Sequence, residues 1–581
     1  MFMIPWHKLP TPLALLQLIQ FRDRLREQNL RDTSHVPDRD KLPKPSPGDD
    51  NRHLVARTAD GSYNDLKYPE MGMAGTRFGR NIPLQDAKVN ESNLLSPNPR
   101  TVSSVLLKRK KFIPATILNL HAASWIQFQT HDWFTHGNNQ PDNNISIPEP
   151  DSDDVFEVPR TLPDPTRNDD NTNPATFINH VTHWWDASQL YGSNAETIDK
   201  QRSHQDGKML IEENGLLPLD PELEIDLVGF AGSTGSWWTG LSMLHTLFVK
   251  EHNLICDRLK QIYPDWNDEQ LFDKARLINA ALLAKIHTVE WTPAILPNPT
   301  TQIAMNINWW GILGQDVKGI VGSFGDSEVL NGIVGSPTDH HAAPYSLTEE
   351  FVSVYRMHPL IPDEFNFYRH GNGEHLMTKN FPEVFGKSTR SFMESVSMAD
   401  LFYSFGIEHP GALTLHNYPN FLRALDKEDG SGAFDLAAVD ILRDRERGVP
   451  RYNRFRELLG KEPVKSFGEI TSNAEWVKEL REIYHDDINR LDLMVGLFAE
   501  DLPNGFGFSD TAFRVFILMA SRRLKSDRFF TQDYRAEIYT QFGLDWIDHN
   551  SFVSVLRRHY PELAPALYGV ENGFQPWRKS N

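Results

Sequence analysis

The sequence predicts a mainly α-helical protein, a helical body carrying long irregular excursions and little β structure. Three observations lead there. Apolar residues recur every three to four positions through 115–135, 241–263, 268–291, 347–358, 398–405, 476–498 and 510–525, the spacing that gathers them on one helix face. Alternation of the kind a half-buried strand needs is sparse. No internal repeat or low-complexity tract divides the 581 residues, so one domain is expected over 1–581, with an N-terminal helix and wrapping segment at 1–105 and the helical body at 106–581.

Taken in order, Thr11 and Pro12 read as the cap and first residue of a helix over TPLALLQLIQFRDRLREQ (11–28). Leu13, Leu16, Ile19, Phe21 and Leu25 fall near one face. Such a helix serves either packing on the body or contact with a membrane surface. Residues 29–105 and 137–174 are rich in Pro, Asp, Asn and Gly and lack periodicity, so both read as irregular excursions too long to be ordinary connections. In YSLTEEFVSVYRMHP (345–359), Ser346 and Glu349 form a capping-box pattern, and Pro359 limits the helix that follows. GIVGSFG (319–325) and GFGFSD (505–510) lack the strand, helix and lysine of a nucleotide loop and read as turns.

A net charge of −19 repels polyanions and sets nucleic acid aside as a partner. Cys256 is the only cysteine, which excludes an internal disulfide or thiolate cluster and leaves it as a small buried hydrophobe. No apolar run reaches membrane-spanning length, and MFMIPWHKLP has no secretory pattern. The expectation is a cytoplasmic monomer, with residues 11–28 as its candidate membrane contact.

Gln127 and His131 lie four apart in AASWIQFQTHDW, on one face of a helix, where one could hold water or oxygen while the other moves a proton. Equally, they suit a satisfied aromatic core. Tyr355 and His358 lie three apart near a helix end. If His358 binds a haem iron, Tyr355 is within electron-transfer reach. Without haem they read as a core aromatic and a helix-end cation.

The strings AASWIQF (122–128), WWDASQLYGSN (184–194), TGLSMLHTLFVKEHN (239–253), AKIHTVEWT (284–292), YRMH (355–358), RDRERGVPRYN (443–453) and RHYPEL (558–563) closely resemble the haem peroxidase and cyclooxygenase superfamily, and within it the fatty-acid α-dioxygenases. The resemblance spans nearly the whole chain. It implies haem b with His358 as proximal ligand, His131 on the distal side supported by Gln127, and Tyr355 as the residue oxidised to a radical. It further implies that His287, Thr292 and Arg558, with Arg557 as an alternative, hold the carboxylate of a long-chain fatty acid. In THWWDAS, Thr182, the Trp184 carbonyl, Asp186 and Ser188, with Asp132, resemble the superfamily's calcium loop, oxygen ligands suited to a hard cation.

The activity implied is addition of O2 at C2 to give a 2(R)-hydroperoxy acid, which can decarboxylate to an aldehyde one carbon shorter. One departure bears on this. Aligning His245 with the peroxidase pattern puts Trp237 and Gly240 where true peroxidases carry an arginine and a haem-linked glutamate. That weighs against the two alternatives less equally than it first looks: it counters a peroxidase using a small electron donor, whereas a non-catalytic haem or fatty-acid binder is countered by His131, His358 and Tyr355 occurring together.

Overall fold

The structure is a computed structural model that describes residues 5–35, 41–45, 51–140, 142–150, 154–167, 174–228, 236–312, 314, 327–426 and 433–580. The turn expected at 319–325 lies outside them. The helices that position the site are α1 (Thr11–Gln28), α2 (His121–Trp133), α3 (Thr239–Ile262), α4 (Asp268–Ile286), α5 (Pro299–Trp310), α6 (Glu349–Val354), α7 (Leu436–Glu446), α8 (Asp510–Ser526), α9 (Ala536–His549) and α10 (Phe552–His559). Strands among the described residues form only two-stranded antiparallel ladders. The longer ones pair Asn144–Pro148 with Val155–Pro159, inside the second excursion, and Glu364–Tyr368 with His375–Asn380.

Apolar stripes on α2, α3, α4 and α8 meet in one large core in which Trp125, Trp133, Trp237, Trp238 and Trp291 are fully buried. α3 packs on both α2 and α4. At Gly240 the approach is so close that a Cβ would stand 2.8 Å from Ser124 Oγ and nearer still to Trp238. No longer side chain fits there, so the missing peroxidase residue is a feature of the packing.

Four sequence expectations are corrected. Pro10 rather than Thr11 holds the cap position of α1, with no side-chain hydrogen bond, so Thr11 is the first helical residue and Pro12 the second. The 347–358 helix is capped by Thr348, whose hydroxyl accepts the Phe351 N–H at 3.2 Å, rather than by Ser346. It ends at Val354, because Tyr355 turns out of helical geometry at ψ 8° and Pro359 forbids continuation. Tyr355 and His358 therefore do not share a helix face; His358 opens a separate 3₁₀ turn, His358–Leu360. The 476–498 segment splits into Ala474–Ile483 and Leu493–Ala499, separated by left-handed His485 and Asp486. The glycine-rich 505–510 stretch is a turn as expected, with Gly505 at φ 76° and Ser509 capping α8.

Candidate active site

On α2, Gln127 is fixed at both ends of its amide. Its Oε1 accepts from Trp238 Nε1 at 2.7 Å and its Nε2 donates to the Ser236 carbonyl at 3.1 Å. One turn on, His131 retains accessible surface, although burial brings its pKa down to about 4. A group that is desolvated yet still reachable lines an internal space, and its imidazole is neutral near pH 7.

His358 is anchored from behind, with Nδ1 2.8 Å from Asp440 Oδ2. Asp440 also accepts from Arg356 at 2.6 Å and from the Tyr418 hydroxyl at 2.9 Å. Burial alone would raise this carboxyl, but His358, Arg356 and Tyr418 bring it down to about 2. A carboxylate on Nδ1 fixes the ring with Nε2 outward, and the side chain keeps 33% of its surface accessible. That donor set fits a haem iron.

Tyr355 is buried between Phe516, 4.3 Å away and stacked, and Trp133, 4.9 Å away and edge-on. Burial keeps its phenol protonated.

His287 and Thr292 come together through a π-helical stretch, His287–Trp291, that continues α4. In it both the N–H and the hydroxyl of Thr292 donate to the His287 carbonyl, the hydroxyl at 2.9 Å, so the two side chains line up five residues apart. The His287 ring is boxed by Trp133, Trp185 and Trp291. Trp125 Nε1, which can only donate, bonds His287 Nδ1 at 3.2 Å. Nε2 therefore carries the proton and is the free donor. Burial, reinforced by Arg523, holds His287 well below the ordinary histidine pKa, hence neutral.

Arg558 is not part of this group. It pairs with Glu251 at 2.6 Å, bonds Asn550, and lies over Trp546 at 4.5 Å. Arg557 donates to the Leu567 carbonyl. The guanidinium beside His287 belongs to Arg523 of α8, 2% exposed, over Trp133 at 4.2 Å and Trp185 at 4.4 Å. Its Nε and Nη2 have no hydrogen-bond partner among the described residues. The sequence carries one signal for it: Phe516, Met519 and Arg523 fall on one helix face, so an arginine occupies an apolar position.

An apolar cleft of about 70 Å³ runs outward from Thr292 and Phe516, between α8 and α5, to Leu15 and Ile19 of α1. At the C-terminal end of α2, Asp132 and the 182–188 loop are knit together. Ser188 donates to Asp132 Oδ1 through its N–H at 2.5 Å and its hydroxyl at 3.0 Å, and Thr182 donates to Asp186 at 2.9 Å. Asp132 Oδ2 has no hydrogen-bond partner among the described residues, and burial together with Asp186 raises that carboxyl to about 8. No group of three or more His, Cys, Asp or Glu among those residues is arranged around a metal.

Residues 56–567 match the animal haem peroxidase family. The chain belongs to that family. Within it the chain stands with the alpha-dioxygenases. Alpha-dioxygenase PIOX of Oryza sativa is 38% identical over 98% of this chain and 93% of its own length, and alpha-dioxygenase 2 of Arabidopsis thaliana is 39% identical over 98% and 91%. A crystal structure of the rice fatty acid alpha-dioxygenase with palmitic acid superposes with a TM-score of 0.90 at 37% identity, covering 99% of this chain and 95% of that one. Peroxidase A of Dictyostelium discoideum shares the fold, with a TM-score of 0.69 at 20% identity.

Proposed function

We propose that this protein is a haem-dependent fatty-acid α-dioxygenase that adds O2 at C2. The observation that carries the reading is the cup of His287 and Arg523 on the shared Trp133 and Trp185 rings, with Thr292 five residues from His287 lining an apolar cleft that also reaches Phe516, the ring stacked on Tyr355. An arginine fork and an imidazole N–H hold a carboxylate by charge-assisted hydrogen bonds. Fixing the headgroup fixes which carbon meets Tyr355, and with the acyl chain running into the cleft that carbon is C2.

Haem would be held through His358, with His131 and Gln127 the residues that would face its reacting oxygen, and when bound it would supply the one-electron oxidising power that makes the Tyr355 radical. The phenoxyl takes a hydrogen atom from C2, O2 adds to the carbon radical, and the peroxyl takes the hydrogen atom back from the phenol. The product is the 2-hydroperoxy acid, and Tyr355 is again a radical. Loss of CO2 from that acid leaves an aldehyde one carbon shorter.

Two further parts belong to this reading. The unpaired Asp132 oxygen, with Asp186, Thr182, Ser188 and the Trp184 carbonyl, suits a calcium ion that would tie the loop to α2. Chelator is then expected to lower the thermal midpoint, and an unchanged midpoint would remove the ion. Leu13 and Leu16 of α1, 43% and 47% exposed beside the mouth of the cleft, suit a lipid surface from which the acid enters. No described helix is long and apolar enough to cross a membrane. Leu13→Lys/Leu16→Lys should weaken sedimentation with phosphatidylcholine vesicles.

The decisive experiment is oxygen uptake by haem-loaded protein with palmitic acid, the products identified by mass spectrometry. Tyr355→Phe should keep haem and abolish uptake. Uptake at the normal rate in that variant would remove the radical role.

A further inference from the structure

Tyr355 sits beside side chains about as oxidisable as itself. The Trp133 ring is 4.9 Å from it, and the Trp185 ring is 5.8 Å beyond. Across such gaps electrons pass readily between rings, so a radical formed on Tyr355 has a route into the core. Leaving by that route would end turnover and damage the protein.

Two features stand in the way. The guanidinium of Arg523 lies over both tryptophans, at 4.2 and 4.4 Å. The indole Nε1 of Trp133 is buried with no hydrogen-bond partner among the described residues, so no base there can take its proton.

We propose that Arg523, besides holding the substrate carboxylate, confines the radical to Tyr355 by making Trp133 and Trp185 harder to oxidise. The inference rests on the Tyr355 radical chemistry above. For the radical to leave, Trp133 gives one electron to the phenoxyl. The phenoxyl regains one proton, returned by the group that received it when Tyr355 was oxidised, and becomes the phenol. Trp133 cannot shed its own proton, so it is left as an indole cation radical.

That product places a new positive charge directly against a fixed one in a desolvated site, where repulsion is strong. The neutral ring attracts the guanidinium through its π face; the oxidised ring repels it. The phenoxyl radical is uncharged and pays no such penalty. Confinement matters most in the idle enzyme, since a bound fatty acid both offers its C2 hydrogen to the radical and shares the arginine's charge.

The test mixes haem-loaded protein with hydrogen peroxide in the absence of fatty acid, freezes it rapidly for electron paramagnetic resonance, and maps oxidised residues by mass spectrometry. Wild type should show a tyrosyl radical and intact Trp133. Arg523→Gln should lower the tyrosyl yield roughly tenfold in favour of a tryptophan radical and oxidised Trp133. Arg523→Lys, which keeps the charge, should retain the tyrosyl signal, and Arg523→Gln/Trp133→Phe should recover it.

A second arm leaves the protein native. 2,2-Dimethylhexadecanoic acid has no C2 hydrogen to give, and its carboxylate neutralises Arg523, so oxidised Trp133 should rise in wild type. Intact Trp133 in both Arg523→Gln and the acid-bound wild type overturns the proposal. If wild type itself forms no tyrosyl radical, the dioxygenase reading falls and this inference falls with it.

Discussion

Arg523 and Arg558 are both arginines on helices beside buried tryptophan or its neighbours, and they differ in one respect. Arg558 has a carboxylate of the protein's own, Glu251, whose side chain is fully buried. Arg523 has none in hydrogen-bond contact, and two of its three nitrogens stand unpartnered in a box of indoles. Burying a guanidinium without its counter-ion is costly, and a fold keeps such a group only where something else completes it. The comparison teaches that the arginine with two nitrogens left over, and no carboxylate in hydrogen-bond contact, is the one that waits for a ligand's carboxylate.

The largest effect that can break this contrast comes from Arg523→Gln. Removing one member of a desolvated charge pair should lower kcat/KM for palmitic acid by roughly a hundredfold to a thousandfold. Oxygen uptake at several acid concentrations measures it. A loss of less than about fivefold would mean that the carboxylate is held elsewhere. His287→Phe, which deletes the Nε2–H donor but fills the same aromatic box, should cost roughly ten- to a hundredfold, because one charge-assisted bond is lost and the arginine remains.

Much of this arrangement was legible in the sequence, and the part that was not has a physical reason. The existence of α1 was legible, its start one residue off because Pro10 and not Thr11 holds the cap, and the Gln127 and His131 pairing follows from helical period alone. His287 and Thr292 were visible as a motif, although the π-helical turn that aligns them was not. Arg523 escaped because what defines it is a box of Trp133 and Trp185 with no carboxylate in hydrogen-bond contact, and those residues are brought beside it from hundreds of positions away. Arg522 next to it turns instead to the carbonyls of Ala343 and Pro344, and nothing local tells the two apart. Arg558 suggested itself because it stands in a recognisable string, but Glu251 had already claimed it.

Histidines with and without a neighbouring carboxylate carry the contrast into stability. His358 has Asp440, whereas burial lowers His121 and His245 to about 3 and His252 to about 4. For these three the folded pKa is below the ordinary value of 6.5, so below that pH the unfolded chain binds protons that the folded chain refuses. Stability is therefore complete above about pH 6.5 and falls as pH drops, by about 1.4 kcal/mol per unit for each, or about 4 kcal/mol together. Urea unfolding at pH 7 and pH 5.5 should show the fall, and His121→Phe should flatten it by one group's share. Equal slopes in the variant and wild type would contradict the neutral, buried assignment.

The smallest effect on catalysis is expected at Arg558, and it sharpens the comparison most. Arg558→Gln leaves Glu251 fully buried with His559 at 2.7 Å and Trp546 at 2.9 Å still bonded to it, but without its principal cation. The cost should be about 1–3 kcal/mol of folding stability, typical of a buried charged group that loses one partner. Because Arg558 touches neither the cup nor the cleft, kcat/KM should stay within about twofold of wild type. The two arginines then separate on two axes: Arg523→Gln is severe in kcat/KM, whereas Arg558→Gln is felt in the unfolding midpoint. If Arg558→Gln raised KM for palmitic acid tenfold while the fold stayed intact, the acid would have to reach α10, and the cup as drawn around His287 would be wrong.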